Sequence, residues 1–392
     1  NHQKLDPKLF RLLADDHKIL NNEKVIFTPH IAFYSKESSQ NLLNSSIENI
    51  QSFINNKTKN SIIKWKNLVK FYTLNLENRK FSMKKFDVIT IGSASIDLFL
   101  KIGKNKAAKE EHHSLLYHLG EKLPVEDIIE TTGGGATNTA VAFSRLGLAT
   151  GTIISVGSDE NGKKILKELR KEGISFLGTR KKGKTGTSII LPGNNDRTIL
   201  VYSGVNNELE TKEVEKNLLG VSTDWLYVST LRGKGLKTID QLTKIFRDKG
   251  TRIAMNISMY LAKKGLVELK ELLSRIDVLI MNKEELLELS KTKNFQAAME
   301  KTAKVVKGII IMTDGPKEIK LYNSITGEKI TKKVEKVKVV DSTGAGDAFS
   351  SGFTYAIIKG ETSSRALIYG IKEAKEKLKG IGAKSGLIRR RK

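Results

Sequence analysis

Apolar runs of strand length alternate with stretches of helical periodicity from Phe86 almost to the end of the chain. Strands that alternate with helices form a largely parallel sheet with helices on both faces, and we expect that architecture here. Ligands of such sheets bind at the carboxyl ends of the strands. The predicted strands are residues 86–100 with a break at Gly92, 152–156, 187–191, 198–202, 225–229, 252–256, 277–281, 308–312, 319–322 and 329–340. The predicted helices between them are residues 162–171, 236–249, 266–274 and 283–289.

Length and composition describe a globular chain with a large excess of positive charge. The 392 residues are enough for two or three domains, and the net charge is +25. Nucleic-acid binding is one interpretation of this charge, but the lysines are spread along the chain and aromatic residues are only 6%. We favour a lysine-rich solvated surface that attracts an anionic nucleotide, and we expect no nucleic-acid partner.

The sequence carries no sign of export, disulfide bonding or membrane insertion. It has no cysteine, no apolar run long enough to cross a bilayer and no signal-peptide pattern after Asn1. We therefore expect a cytoplasmic protein without a membrane partner. Because the chain begins at Asn1 and not at a methionine, we also expect it to be a piece of a longer product.

A glycine-rich corner near the end of the chain carries the strongest chemical signal. Residues 336–352 read KVKVVDSTGAGDAFSSG, an apolar run at 337–340 that predicts a strand, then glycines, then a predicted helix to Ile358. The free N–H groups and the dipole of a helix N-terminus favour phosphate. Asp347 lies in the same turn, where a carboxylate is costly unless it takes a proton from a reacting group. The corner predicts phosphoryl transfer to a hydroxyl, although an ordinary loop with a capping aspartate fits the same residues.

A second glycine-rich helix start lies at residues 131–147, TTGGGATNTAVAFSRLG. Its glycines would let a ligand approach the backbone, and Asn138 offers a donor and an acceptor that suit a polyhydroxylated substrate. Simple capping by threonine and asparagine is an equally good interpretation. Several polar residues fall at or just past predicted strand ends, or in the helix turn that follows, and we expect them to form one shared site. They are Asp97, Asn138, Asn282, Thr313 and Asp347.

Two other motifs carry less information. Residues 178–185, GTRKKGKT, satisfy the pattern of a nucleotide-binding P-loop, but the strand-like run after them leaves no helix to complete the phosphate cradle. His112, His113 and His118 lie in a lysine-rich excursion without carboxylate or cysteine spacing, so we favour solvated histidines over a metal site.

Residues 84–390 resemble the ribokinase, or phosphofructokinase B-type (PfkB), carbohydrate kinase family over essentially their whole length. The motifs that carry the resemblance are GGGATNTAVAFSRLG, DSTGAGDAFSSGF, and between them Asn282 to Glu285 and Thr313 to Gly315. The resemblance implies a ribokinase-like α/β/α sandwich with a mostly parallel central sheet and a small β-sheet lid from residues 101–130 and 187–202. It implies an ATP-dependent kinase that phosphorylates a hydroxyl of a sugar or nucleoside, and a homodimer formed through the lid.

The resemblance also implies a role for each matching residue. Asp347 would be the general base, and backbone N–H groups would form the anion hole for the transferring phosphoryl group. The anion-hole residues would be Gly344, Ala345 and Gly346. The substrate-binding residues would be Asp97, Gly133, Gly134 and Asn138, with Arg197 from the lid.

On the nucleotide side, Asn282 and Glu285 would position Mg²⁺ through water. The other cofactor-binding residues would be Thr313, Gly315, Asp341 and Thr343, with a monovalent cation near Asp341. The resemblance weakens at residues 371–377, IKEAKEK, where many relatives carry a small polar run near the adenine. The predicted base pocket around Glu373 is therefore open to a different nucleotide preference.

Residues 1–83 differ in character from the rest of the chain. VIFTPHIAFYSKES and the helix-like SIENIQSFI, within residues 1–55, resemble the C-terminal end of D-2-hydroxyacid dehydrogenases of the D-lactate type, with His30 at the place of the catalytic acid. The predicted domains are a dehydrogenase-like C-terminal fragment at 1–60, a linker at 61–83 and the kinase domain at 84–392. Two rival interpretations are a remnant of a dehydrogenase–kinase fusion and a non-catalytic ligand-binding protein on the kinase fold.

Overall fold

The computed structural model describes residues 84–102, 109–111, 114–116, 119–120, 122–193 and 197–390. The dehydrogenase-like stretch with His30 lies outside these residues, as do His112, His113 and His118, so the interpretations of both remain predictions. Among the residues described, none of the helices combines the length and the apolar character that a membrane span requires.

A large mixed sheet and a small sheet form the framework. The strands are, in chain order, β1 Lys84–Ile91, β2 Ser95–Ile102, β3 Lys109–Glu111, β4 Ser114–Leu116, β5 Val125–Gly133, β6 Thr150–Ile153, β7 Ser155–Gly157, β8 Ser175–Phe176, β9 Thr179–Lys181, β10 Gly186–Pro192, β11 Arg197–Tyr202, β12 Val221–Val228, β13 Arg252–Asn256, β14 Val278–Asn282, β15 Ile309–Thr313, β16 Glu318–Asn323 and β17 Lys329–Lys333. Within the described ranges, the large sheet has the order β17-β16-β15-β14-β13-β12-β1-β6-β8. The strands from β15 to β8 pair in parallel, and β16 and β17 add an antiparallel edge. The predicted parallel sheet is confirmed.

The small sheet has the order β11-β10-β2-β5. It is mixed, since β10 pairs in parallel with β2, while β2–β5 and β10–β11 are antiparallel. Asp97 is therefore not a residue just past a strand of the large sheet, as the sequence suggested. It lies inside β2, directly beside Ser188 of β10 and Thr131 of β5. The turn at Gly92 ends β1, so that the apolar run after it joins the other sheet.

Helices cover both faces of the large sheet. They are α1 Gly135–Arg145, α2 Glu160–Lys171, α3 Thr211–Val214, α4 Lys234–Asp248, α5 Met259–Ala262, α6 Gly265–Glu268, α7 Lys270–Leu273, α8 Lys283–Ser290, α9 Phe295–Val305, α10 Ala345–Ile358 and α11 Ser363–Lys377, with 3₁₀ turns at Gly204–Glu208 and Glu215–Asn217. Alternate side chains of each central strand point to opposite faces. Val88 packs with Phe143 of α1 and Phe353 of α10, whereas Ile89 packs in the cluster that contains Phe246 of α4. The central strands are therefore buried on both sides, which explains their continuous apolar character.

Two local predictions about strands have opposite outcomes. No helix follows the P-loop-like residues 178–185, since β10 begins at Gly186, and the rejection of a P-loop is confirmed. The strand predicted over 329–340 is wrong beyond Lys333, because the segment that enters the glycine corner has no sheet partner in the described structure. Val339 and Val340 are each 53% exposed, and lysines alternate with the valines there, so no burial holds this segment as a strand.

Candidate active site

The glycine corner is a helix N-terminus that faces open space. Gly344 has a φ of 77° and precedes the first residue of α10, and an added Cβ would lie 2.5 Å from the Cβ of Ala383, so glycine is required there. The N–H of Ala345 donates to the carbonyl of Ser342 at 3.1 Å. Within the described structure, the N–H groups of Gly346 and Asp347 have no acceptor. Gly346 is exposed, and nothing lies within 4 Å of its Cβ position.

Asp347, in the first turn of α10, is the best candidate for a general base. Its Oδ2 accepts a hydrogen bond of 2.8 Å from Nδ2 of Asn138 in α1. Burial raises the pKa of Asp347 to about 6; the nearby Asp97 carboxylate acts in the same direction, and Asn138 and Lys384 oppose it. The phenol of Tyr227 is buried close by, and burial together with Asp347 raises its pKa. A carboxylate with a pKa near neutrality can take a proton in one step and release it in another.

Asp97 is a second buried carboxylate at the same place. Oδ1 of Asp97 accepts a hydrogen bond of 2.8 Å from the Ser95 hydroxyl. Burial raises the pKa of Asp97, while hydrogen bonds from Ser95 and Ser188 lower it. An added Cβ on Gly133 would lie 1.9 Å from Oδ2 of Asp97, so only glycine lets the end of β5 pass this carboxylate. Gly134, the N-cap of α1, faces the backbone of the β1–β2 turn.

Lys384 is a buried cation of the site that sequence reasoning missed. Its Nζ donates to Oε2 of Glu168 at 2.6 Å and to Oγ1 of Thr132 at 2.7 Å. It lowers the pKa values of both Asp97 and Asp347. The sequence signal was weak: a single lysine within the otherwise small and apolar run IGAKSGLI. The ammonium links the C-terminal loop to β5 of the small sheet and to α2.

Asn282 ends β14, and Glu285 lies in the first turn of α8 directly after it. The two residues are joined by two hydrogen bonds. Asn282 Oδ1 accepts the N–H of Glu285 at 2.8 Å, and Glu285 Oε2 accepts the N–H of Asn282 at 2.9 Å. This reciprocal arrangement is a capping box that begins α8. Burial raises the pKa of Glu285. Thr313 lies beside Asn282 in the sheet, and Gly315 forms the exposed turn from β15 to β16.

The lid and the C-terminal helix both contact the start of the corner. Arg197, the first residue of β11, donates from Nη1 to the Ser342 hydroxyl at 2.5 Å. Asp341 Oδ1 accepts the N–H of Thr343 at 3.0 Å, and hydrogen bonds from the corner help hold the pKa of Asp341 low against the opposing effect of burial. Nζ of Lys377, near the end of α11, lies 2.6 Å from the carbonyl oxygen of Asp341. Residues 341–347, the corner loop, are therefore held from two sides.

Two further polar groups point to a ligand; Asn138 is a predicted binding residue, whereas Ser229 was not predicted. The Ser229 hydroxyl and Oδ1 of Asn138 are buried and have no hydrogen-bond partner among the described residues. An added Cβ on Gly135 would lie 2.8 Å from Oγ of Ser229 and 3.8 Å from Oδ1 of Asp347, which places the Ser229 hydroxyl and the Asp347 carboxylate around one space. Ser229 follows the carboxyl end of β12, so its position after a buried strand was the signal available in the sequence.

The arrangement combines buried carboxylates, neighbouring polar groups and a helix start with N–H groups that have no acceptor in the described structure. The structure brings together Asp97, Gly133, Asn138 and Asp347, and it brings Arg197 to the corner loop. Asn282, Glu285 and Thr313 form a separate group at the ends of β14 and β15. Across the described ranges, no group of three or more acidic or histidine side chains is arranged to hold a metal ion.

Residues 86–388 match the model of the pfkB family of carbohydrate kinases, and the chain belongs to that family. An uncharacterized sugar kinase of Archaeoglobus fulgidus is 28% identical over 64% of this chain and 99% of its own length. An adenosine kinase of Schizophyllum commune is 23% identical over 76% of this chain and 97% of its own length. The protein is therefore a carbohydrate or nucleoside kinase.

Solved structures agree on the fold. The adenosine kinase of Sinorhizobium meliloti superimposes with a TM-score of 0.66 at 22% identity, over 78% of this chain and 98% of its own. The Arabidopsis thaliana ribokinase, solved with ribose and ATP, gives a TM-score of 0.61 at 22% identity, over 76% and 95% of the two chains. The predicted ribokinase-like fold, with its mostly parallel central sheet and smaller sheet, is confirmed.

Proposed function

We propose that this kinase transfers the γ-phosphoryl group of ATP to a hydroxyl of a sugar or nucleoside, with Asp347 as the general base. The observation that carries the proposal is the position of Asp347 in the first turn of α10, beside backbone N–H groups that have no acceptor among the described residues. A base and an anion site within one helix turn fit an accepting hydroxyl and a transferring phosphoryl group. Family membership supports the same reaction class.

In the proposed reaction, the accepting hydroxyl lies against Asp347, which receives its proton as the oxygen attacks the γ-phosphorus. The new bond joins that oxygen to phosphorus, and the bond from phosphorus to the β–γ bridging oxygen breaks, giving ADP and a phosphate ester. The N–H groups at the start of α10 stabilise the charge on the transferring group. Gly344 and Gly346 contribute their backbone N–H groups to this anion hole. The N–H of Ala345 already donates to the carbonyl of Ser342, so Ala345 acts by holding the shape of the turn.

Substrate hydroxyls are held, in this proposal, by Asp97 and Asn138, with Gly133 and Gly134 shaping the floor of the site. Oδ1 of Asn138 supports this role because it is a buried acceptor without a partner in the described structure. Asp97 is a buried acceptor, and sugars and nucleosides present hydroxyl donors to such groups. Arg197 would add positive charge where the lid reaches the corner loop.

The nucleotide side would be formed by the ends of β14 and β15 and by the corner loop. Asn282 and Glu285 would hold Mg²⁺ through water, and the ion would neutralise phosphate charge. The Glu285 carboxylate accepts backbone hydrogen bonds from Asn282 and Met259, and its remaining lone pairs would receive water. Thr313, Gly315, Asp341 and Thr343 would line the same side, and ATP and Mg²⁺ are consistent with the family.

The test is phosphorylation of a panel of sugars and nucleosides by the full chain with ATP and Mg²⁺. We expect at least one member of the panel to be phosphorylated, and Asp347→Asn to lower that rate at least ~10²-fold. Asp248→Asn, an exposed carboxylate at the end of α4, is the matched control and should keep wild-type activity. A wild-type protein that is inert on the whole panel, or an Asp347→Asn variant at full rate, would contradict the proposal.

We also propose that two copies associate through the small sheet. β11 is an edge strand whose apolar side chains are exposed, with Leu200 at 52%, Val201 at 59% and Tyr202 at 55%. Ile128 of β5, at the opposite edge, is 57% exposed. Exposed apolar patches of this kind mark interaction surfaces. Light scattering should give a dimer, and Val201→Lys should convert it to a monomer; a wild-type monomer at high concentration would contradict this.

A further inference from the structure

Lys377 is a charged residue with no contact to solvent, and the proposed reaction does not use it. Its side chain is 0% exposed, although the helix that carries it, α11, has a charged surface. Nζ donates to the main-chain oxygen of Asp341 at 2.6 Å and lies 3.2 Å from Asp341 Oδ2. A buried ammonium is stable only where oxygen atoms and a negative charge receive it. Lys377 thus explains part of the lysine-rich run 371–377, which departs from the family pattern.

Glu373, one turn earlier on the same face of α11, is buried with Lys377. Its Oε1 accepts the N–H of Ile388 at 3.1 Å, and burial raises its pKa to about 7. The two charged side chains that point inward are therefore used within the protein. Glu373 fixes the C-terminal segment, and Lys377 reaches the corner loop, 36 residues earlier in the chain.

The oxygens of Asp341 are already occupied by donors from this chain. Oδ1 accepts the N–H of Thr343, and Oδ2 accepts the N–H of Gly382, each at 3.0 Å. Lys377 takes the main-chain oxygen and shares Oδ2. A monovalent cation near Asp341, as the family resemblance implied, would need the same carbonyl and carboxylate oxygens. It would also lie next to the ammonium of Lys377 and near Arg197, so the residues present do not fit such an ion.

We propose that the ammonium of Lys377 is a built-in cation that takes the place of a monovalent metal ion at Asp341 and holds the corner loop in its anion-binding shape. The kinase is then independent of added potassium or sodium. The inference rests on the proposed function in one respect only, namely that the corner loop binds nucleotide phosphate. It assigns a positioning role to Lys377, which acts through Asp341 and does not touch the substrate.

The surrounding contacts explain how one ammonium can set the shape of the loop. The N–H of Val340 donates to the carbonyl of Leu378 at 2.8 Å, so the residue before Asp341 is tied to the residue after Lys377. Gly344 packs against Ala383 in the loop that follows α11. Without the ammonium, the Asp341 carboxylate would be a buried charge without its cationic partner, and the corner loop would lose one of its contacts with α11.

A purely structural ion pair and a built-in cation make different predictions for Lys377→Ala. Both hypotheses predict that the variant binds nucleotide more weakly. Only the built-in cation hypothesis predicts that a small cation can fill the vacated space and restore nucleotide affinity. Lys377→Met removes the charge and keeps most of the volume, so no ion can enter. Lys379→Ala is the matched control, since Lys379 is 59% exposed just beyond the end of the same helix.

The experiment measures Mg²⁺–ADP affinity by calorimetry and thermal unfolding of the full chain, in potassium, ammonium or choline chloride at equal ionic strength. Wild type and Lys379→Ala should show the same affinity in all three salts, within about twofold. Lys377→Ala should bind at least ~10-fold more weakly in choline and recover at least ~5-fold in potassium or ammonium. Lys377→Met should be weakened in every salt. A tenfold change in affinity corresponds to about 1.4 kcal/mol.

Three results would overturn the proposal. Wild-type affinity or unfolding temperature that rises specifically with potassium would show that an ion binds despite Lys377. If Lys377→Ala bound Mg²⁺–ADP with wild-type affinity, Lys377 would have no role in shaping the loop. If the affinity of Lys377→Ala fell equally in all three salts, the Lys377–Asp341 contact would be only a structural ion pair. If neither variant folds, the wild-type comparison between potassium and choline still decides. Because nucleotide binding needs no acceptor substrate, a negative sugar panel contradicts the proposed function without affecting this test.

Discussion

Two glycine-rich helix starts meet at the site, and they use their glycines in opposite ways. At the start of α1, the Cβ position of Gly133 is filled by the carboxylate of Asp97. At the start of α10, the Cβ position of Gly346 opens onto space with nothing within 4 Å. The two helices are joined by the hydrogen bond from Asn138 to Asp347. The first turn is packed against a carboxylate, and the second opens onto the space that we propose for the phosphoryl group.

A glycine-rich helix start is therefore not by itself a phosphate site. The space above the turn decides its use, and that space depends on residues far away in the chain. Around α1 the space is taken by β2, whereas above α10 it is bounded by the lid residue Arg197 and by the C-terminal loop. Four predictions follow the difference between the two turns, beginning with the largest effect.

Asp347→Asn should abolish most activity without weakening the fold. The pKa of Asp347 in the folded protein, about 6, is above the ordinary aspartate value of 3.8, so ionisation at neutral pH costs stability. The favourable contribution of the protonated form is complete below about pH 4 and is lost as the pH rises through about 6. The neutral variant should therefore unfold at pH 7 at a temperature no lower than wild type. A lower unfolding temperature in calorimetry would show that the carboxylate is a structural group.

Gly133→Ala should destabilise the protein, because the new methyl group overlaps the Asp97 carboxylate. We expect a loss of about 1–3 kcal/mol in the free energy of unfolding, measured in denaturant, with weaker binding of the accepting substrate. Wild-type stability would mean that β5 and β2 are not in the close contact seen here.

Gly346→Ala is the matched substitution at the other turn and should behave in the reverse way. The methyl group meets no protein atom, and alanine restricts the unfolded chain, so stability should be unchanged or higher by roughly 0.4–1 kcal/mol. The rate of phosphoryl transfer should fall about tenfold, because the methyl group enters the space meant for the phosphoryl group. Equal effects of the two glycine substitutions on stability and activity would remove the distinction between the turns.

Asn138→Ala should shift the acid side of the pH–rate profile upward. The hydrogen bond from Asn138 stabilises the ionised form of Asp347 and lowers its pKa, so its removal raises that pKa from about 6. Activity, which needs the ionised base, should then be lost at a higher pH as the solution is acidified. The measurement is kcat/KM as a function of pH. A profile that keeps the wild-type acid limb would show that the two side chains are not coupled in solution.

Local sequence order was enough to predict several parts of the fold and site. Buried strands such as β14 are continuous apolar runs, and Asn282 was correctly predicted to lie at the carboxyl end of this strand. The helix start at Gly344 and the place of Asp347 in its first turn also followed from neighbouring residues. The capping box of Asn282 and Glu285 was not predicted, although an acceptor and a glutamate three residues apart are a local signal for it.

Other features failed because they depend on which element packs against which. The valines before Asp341 alternate with lysines in a way typical of a strand, but no strand lies beside them in the described structure and they stay exposed. Asp97 was assigned to the end of a strand, although the chain leaves the large sheet after Gly92 and places Asp97 within the small one. Lys384 and Lys377 are buried, but nothing in the neighbouring sequence distinguishes them from surface lysines.

Periodicity and turn chemistry act over a few residues, so the alternating α/β architecture, the family and the two glycine-rich helix starts could be predicted from the amino-acid sequence. The folded chain was needed to show which turn is open, which carboxylate faces which amide, and where the buried lysines point. Asn138 and Asp347 are separated by 209 positions, and Lys377 and Asp341 by 36. Contacts at such separations form only when helices close over the sheet, so no local pattern records them.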